Sequence, residues 1–169
     1  MDIQMIFGVQ FLLSLTVYGL LAKWTAAPWL DKQANCVALF WLTVPHAFRH
    51  LGMVFLVPGV VAEPLPESFS VPAAYGDLLA GVLALLALVA LRNNWSGAIY
   101  SVWLFNIVGT VDLMNALLHG EVAPLFGATW YIPTMIVPLL LVTHFMIFVR
   151  LLKPREARTS GREGAGDTH

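Results

Sequence analysis

The chain has 169 residues, 59% apolar and 11% charged, with a mean hydropathy of +0.76. That composition excludes an ordinary soluble domain and gives no support for nucleic-acid binding; lipid is the expected solvent. The single cysteine, Cys36, excludes an internal disulfide and any multi-cysteine metal or cluster site, while a formal net charge of −1 hides charges that are segregated along the chain.

A spanning helix needs roughly 20 residues to cross about 30 Å of hydrocarbon. The expected fold is therefore all-α: a polytopic membrane protein of five transmembrane helices, 1–153, followed by a polar tail, 154–169. The N-terminus lacks the basic stretch and small-residue cleavage site of a signal peptide, so the first apolar run is expected to be retained. It covers about 5–21 and ends at the interfacial pair Lys23-Trp24. The second span, about 35–61, is apolar at both ends but carries Pro45, His46, Arg49 and His50 in its middle and is expected to cross with a kink. Residues 62–72, with three prolines and two glutamates, read as a loop. Span three, about 77–91, is a Leu-Ala run; span four, about 96–118, follows the turn at Arg92-Asn93-Asn94; span five, about 129–152, should bend at Pro133 and Pro138. The Gly- and Arg-containing tail has no apolar periodicity and reads as disordered.

Eight of the nine Lys and Arg fall after spans one, three and five: Lys23, Lys32, Arg92, Arg150, Lys153, Arg155, Arg158 and Arg162. The intervening loops hold Glu63, Glu67 and Glu121 and no cation. Cations collect on the cytoplasmic side, so the N-terminus is expected outside and the C-terminus inside, in a cell membrane, here a bacterial inner membrane.

The ninth cation is Arg49, near the middle of span two. An ionisable group at that depth costs roughly 2.5–3.5 kcal/mol on insertion scales and needs a partner. Asp77, at the outer start of span three, and Asp112, deeper in span four, both qualify. Asp112 is the expected partner, and Asp77 could instead cap its own helix. Asp112, Asn115 and His119 fall at i, i+3 and i+7 on one stripe that continues inward through Val108 and Phe105. With His46, His50 and Tyr131 they form the candidate cluster, and Trp130 and Tyr75 are further candidate walls.

His46 and His50 have the i, i+4 spacing of two imidazoles on one metal, but Arg49 between them repels a cation and no Glu completes a zinc motif. His144 and His119 stand at depths that do not match His46 or His50, so neither metal nor haem is expected, and no cofactor is assigned. Asn106, Thr110, Ser14, Thr16, Tyr18 and Thr143 read as interhelical hydrogen-bonding positions.

In helix count the chain resembles the five-helix sterol-isomerase and sigma-2-receptor superfamily, which implies a membrane cavity for a sterol-like ligand. The paired membrane glutamates of that isomerase site have no counterpart, since every Glu is placed in a loop or the tail, and no residue role is carried over. Two functions follow from the residues themselves. One is a pocket in the outer half of the bundle that binds or acts on a lipophilic molecule, with Arg49 as anion or carbonyl anchor, Asp112 as counter-charge or base and His50 as proton carrier; it requires a cavity of about 300 Å³ or more. The other is an accessory subunit of a larger membrane complex, in which the Arg–Asp pair only fixes helix register. A proton or ion pathway ranks last, because polar residues are sparse in the inner half.

Overall fold

The computed structural model describes residues 2–62 and 65–153. The tail and Glu63 lie outside the described residues, which are helical and contain no strand. Three helices are long and apolar enough to cross a membrane by length and composition: α1 (Ile3–Asp31), α3 (Glu67–Arg92) and the segment Gly127–Leu152, whose regular part is α5 (Val137–Leu152). The expected five are thus not all matched on those terms. α4 (Ala98–Leu117) is long enough, but Asn106, Asp112 and Asn115 lower its hydropathy. α2 (Asn35–Thr43) is short and runs on as a 3₁₀ helix, Val44–Leu56.

α1 does not end at Lys23-Trp24. It passes through a widened π turn, Ala22–Ala26, and continues to Asp31 despite Pro28. A proline cannot donate to the carbonyl four residues back and its ring crowds that carbonyl. A π turn one step earlier makes room, so the helix continues past the proline without breaking. The same device precedes Pro138, where the π turn Ile132–Ile136 leads into the regular helix from Val137.

α3 begins ten residues before its expected start, so the expected loop 62–72 is helical from Glu67 onward. Pro66 sits immediately before the helix and its carbonyl accepts from Phe69 and Ser70. Pro72 falls early enough to forfeit only one bond near the helix start. The Leu-Ala run then sorts by face. Ala80, Ala84, Ala87 and Ala90 are buried, while Leu79, Leu85 and Leu86 point outward. Small residues let α2 and α4 come close to α3, the usual packing where lipid is as apolar as leucine.

The 3₁₀ segment is long for its kind, and its buried residues are His46, Arg49, Gly52 and Phe55. At three residues per turn these four stand in one line against α3; in an α-helix each step would rotate the next by about 60°, turning Phe55 away from His46. The 3₁₀ geometry is what places a histidine, an arginine, a glycine and a phenylalanine on a single buried edge.

The two ends of the molecule differ in chemistry. At one end Arg150 and Lys153 reach Asp31 at 2.7 and 3.4 Å. At the other, Ala62 donates to the Leu125 carbonyl (2.9 Å) and Ala128 to that of Val60 (3.0 Å), pinning the turn after the 3₁₀ helix to the loop after α4. Gly127 permits this contact: its φ is +51°, and a Cβ there would press on Ala62 N and Val60 O.

Candidate functional site

Arg49 is the centre of the buried polar core, its side chain fully enclosed. Nε donates to Asp77 Oδ1 at 2.7 Å, Nη2 to Asp112 Oδ2 at 2.5 Å, and Nη1 to the Gly109 carbonyl at 2.9 Å. Asp112 is the partner expected from sequence. Asp77 is a second, equal partner and does not cap a helix, because α3 starts at Glu67 and puts Asp77 three turns inside it. One guanidinium thus tethers the 3₁₀ helix to both α3 and α4, and hydrogen bonds to charged groups contribute about 1.5–3 kcal/mol each.

Glycines make this convergence possible. A Cβ on Gly52 would collide with the Asp77 carboxylate and one on Gly76 with that of Asp112. One on Gly109 would lie 2.8 Å from both Arg49 Nη1 and His144 Cε1. Three helices therefore approach the ion triad with bare backbone at the contact points.

Behind the guanidinium, His144 Nε2 lies 3.4 Å from Arg49 Nη1. Asn106 Nδ2 donates to the His144 carbonyl (3.4 Å), which leaves Asn106 Oδ1 to accept from His144 Nδ1–H (2.7 Å). This assignment fixes the tautomer whose Nε2 lone pair faces arginine. His46 packs against the same ring, tilted by 51° at 4.1 Å between centroids, and Phe105 packs on both. The depth mismatch expected between His46 and His144 is therefore overturned: the line of the 3₁₀ helix brings His46 level with His144. Thr143 Oγ1 lies 3.0 Å from the carbonyl of Leu140 and 2.9 Å from His46 Nε2. His46 Nδ1 is the one buried side-chain polar atom without a partner among the described residues. The described residues contain no group of His, Cys, Asp and Glu arranged to hold a metal.

On the opposite side of the carboxylates is a cavity of ≈ 50 Å³. Its walls include Phe7, Phe55, Phe69 and Phe126, and its polar lining is Asp77, Asp112 and His119. Phe55, Phe69 and Phe126 form a triangle with centroids 5.7–5.9 Å apart. The volume suits a few water molecules or one small head group, well short of the 300 Å³ expected for a whole lipophilic ligand.

The candidate residues separate accordingly. Arg49, Asp77 and Asp112 meet, His46 joins them through His144, and His119 lines the cavity. His50 and Asn115 are exposed, with His50 Nδ1 turned to its own Ala47 carbonyl (3.0 Å). Tyr131 and Tyr75 are exposed and outside the cavity lining, so the expected aromatic wall is made of phenylalanines instead. Trp130 bonds to Gln10 of α1 at 2.6 Å. Among the expected interhelical polar positions, Asn106 and Thr143 do bridge helices, whereas Thr16 and Thr110 bond within their own helix. Sequence reasoning missed Gly52 and Gly109 as contact points. The available signal was Asn106, Gly109 and Asp112 at steps of three on one face of α4.

These features define a class: an all-helical protein with membrane-length apolar helices, closed around a buried arginine held by two carboxylates. The chain belongs to the family described as Domain of unknown function (DUF8737), which matches residues 6–152. No curated protein and no solved structure matches it.

Proposed function

We propose that this is a five-span integral membrane protein, N-terminus outside, that binds a lipophilic small molecule through a hydrogen-bond-donating head group, an amine above all. The observation that carries the reading is the cavity whose charged lining groups are Asp77 and Asp112, with phenylalanine faces around them. Arg49 is an unsuitable anchor for an anion, because its guanidinium is enclosed and engaged on Nε, Nη1 and Nη2. Two carboxylates against one arginine leave negative charge in excess, and aromatic faces favour cations as well. The small volume implies that only the head enters, with the tail directed towards lipid.

Five crossings fit the lengths. Nine α-helical residues and thirteen 3₁₀ residues extend for about 40 Å, enough for α2 and its continuation to cross about 30 Å of hydrocarbon. α4 lies between helices that meet the length and hydropathy requirement. The cation-rich segments then fall together on the cytoplasmic side.

The thermal stability of the detergent-purified protein, measured with decylamine and with decanoate, tests the reading. Decylamine should raise the midpoint and decanoate should not, and Asp112→Asn should abolish the response. A second reading, an accessory subunit whose triad only fixes helix register, is favoured by the same small volume and the satisfied guanidinium. It predicts no response to either amphiphile, and recovery of a stoichiometric membrane partner from native membranes.

A further inference from the structure

α1 packs along α5 and the turn before it, and two polar clasps near the ends of this pair bracket an open stretch. Near one end the Trp130 indole donates to Gln10 at 2.6 Å and packs edge-on against Phe7. At the other end Asp31 holds Arg150 and Lys153. Between these clasps lies a groove of ≈ 540 Å³. Small residues of α1, Gly19, Ala22 and Ala27, form one wall, at and beside the π turn, and Leu141, Phe145 and Val149 form the other. A Cβ on Gly19 would meet no atom within 4 Å, so the gap is real space beside the backbone.

The rim of this apolar groove is charged on one side only. Lys23, Arg150 and Lys153 surround it, against the single carboxylate of Asp31, and no carboxylate among the described residues pairs with Lys23. Three cations and one anion leave a net charge of +2 at the end of a slot between two helices of membrane length. Basic pockets between helices at the cytoplasmic interface are suited to anionic lipid head groups.

We propose that this groove is a binding site for one anionic phospholipid, an acyl chain lying along Gly19 and Ala22 and the phosphate held by Lys23 and Lys153 beside Arg150. The site is separate from the carboxylate cavity and does not depend on its ligand. It does rest on α1 and α5 spanning the membrane.

Retention of added lipid by the detergent-purified full chain, read by native mass spectrometry, is the test. Phosphatidylglycerol and phosphatidylcholine with identical acyl chains are compared, with glycerophosphoglycerol as the chain-free head group. The expected result is phosphatidylglycerol held more tightly by on the order of tenfold, with no retention of the chain-free compound. Gly19→Leu fills the groove where a side chain meets nothing and should lose both lipids. Lys23→Gln with Lys153→Gln should bring phosphatidylglycerol down to the phosphatidylcholine level. Equal retention of the two lipids by the unaltered protein, retention of glycerophosphoglycerol, or undiminished lipid in Gly19→Leu would each overturn the proposal.

Discussion

Arg49 connects three helices through one planar group, and its removal is not a simple loss of a contact. Arg49→Met leaves Asp77 and Asp112 facing each other in a buried site, so it should cost about 3–5 kcal/mol, as broken buried pairs do. The triple change Arg49→Met, Asp77→Asn, Asp112→Asn removes the orphaned charges and should recover much of that stability. Unfolding midpoints in detergent check the order; a triple variant less stable than the single one would contradict the shared-charge account. The glycines predict a second contrast. Gly76→Ala drives a methyl into the Asp112 carboxylate and should cost about 1–3 kcal/mol. Gly8→Ala, with open space around it, should be neutral or stabilising by up to about 1 kcal/mol. The same midpoint measurement reads both.

At the scale of the element, the 3₁₀ helix carries the most specific prediction. With Cys36 replaced, single cysteines along residues 44–56 should resist a lipid-soluble thiol reagent at 46, 49, 52 and 55 and react at 48, 51, 53 and 56. An α-helical repeat would instead protect 53 with 46 and 49. Arg49, Asp112 and the apolar stretches were legible in the sequence because charge and hydropathy are local properties. The end of α1 and the start of α3 were not. Lys23-Trp24 reads as an interfacial end although the helix runs on through a π turn to Asp31, and Pro64, Pro66 and Glu67 read as a loop although Pro66 sits at a helix start. That misplaced start is why Asp77 looked like a cap. Nor does spacing reveal the His46–His144 contact, since the depth of His46 depends on whether its helix rises by 1.5 or about 2.0 Å per residue.

On the scale of the whole molecule, polarity is arranged by depth: an alanine-walled core near the basic end, the histidine and arginine layer above it, then the carboxylates, and the phenylalanine cage at the far end. The charge bias of the ends predicts direction. Cysteines introduced at Gly59 and Glu121 should be labelled from outside intact cells by a membrane-impermeant thiol reagent. Cysteines at Gln33 and Asn94 should react only after the membrane is opened. Labelling of Gln33→Cys from outside would reverse the proposed orientation.

The proposed role of the cavity beside Asp77 and Asp112 is to receive the donor head of a lipophilic molecule. A crystal structure of the protein soaked with decylamine is the decisive experiment. Density is expected within the Phe55–Phe69–Phe126 cage, with the nitrogen at hydrogen-bond distance from an Asp77 or Asp112 carboxylate oxygen and the chain leaving towards lipid. A cage holding only water at saturating decylamine, with Arg49 and both carboxylates unmoved, would contradict it.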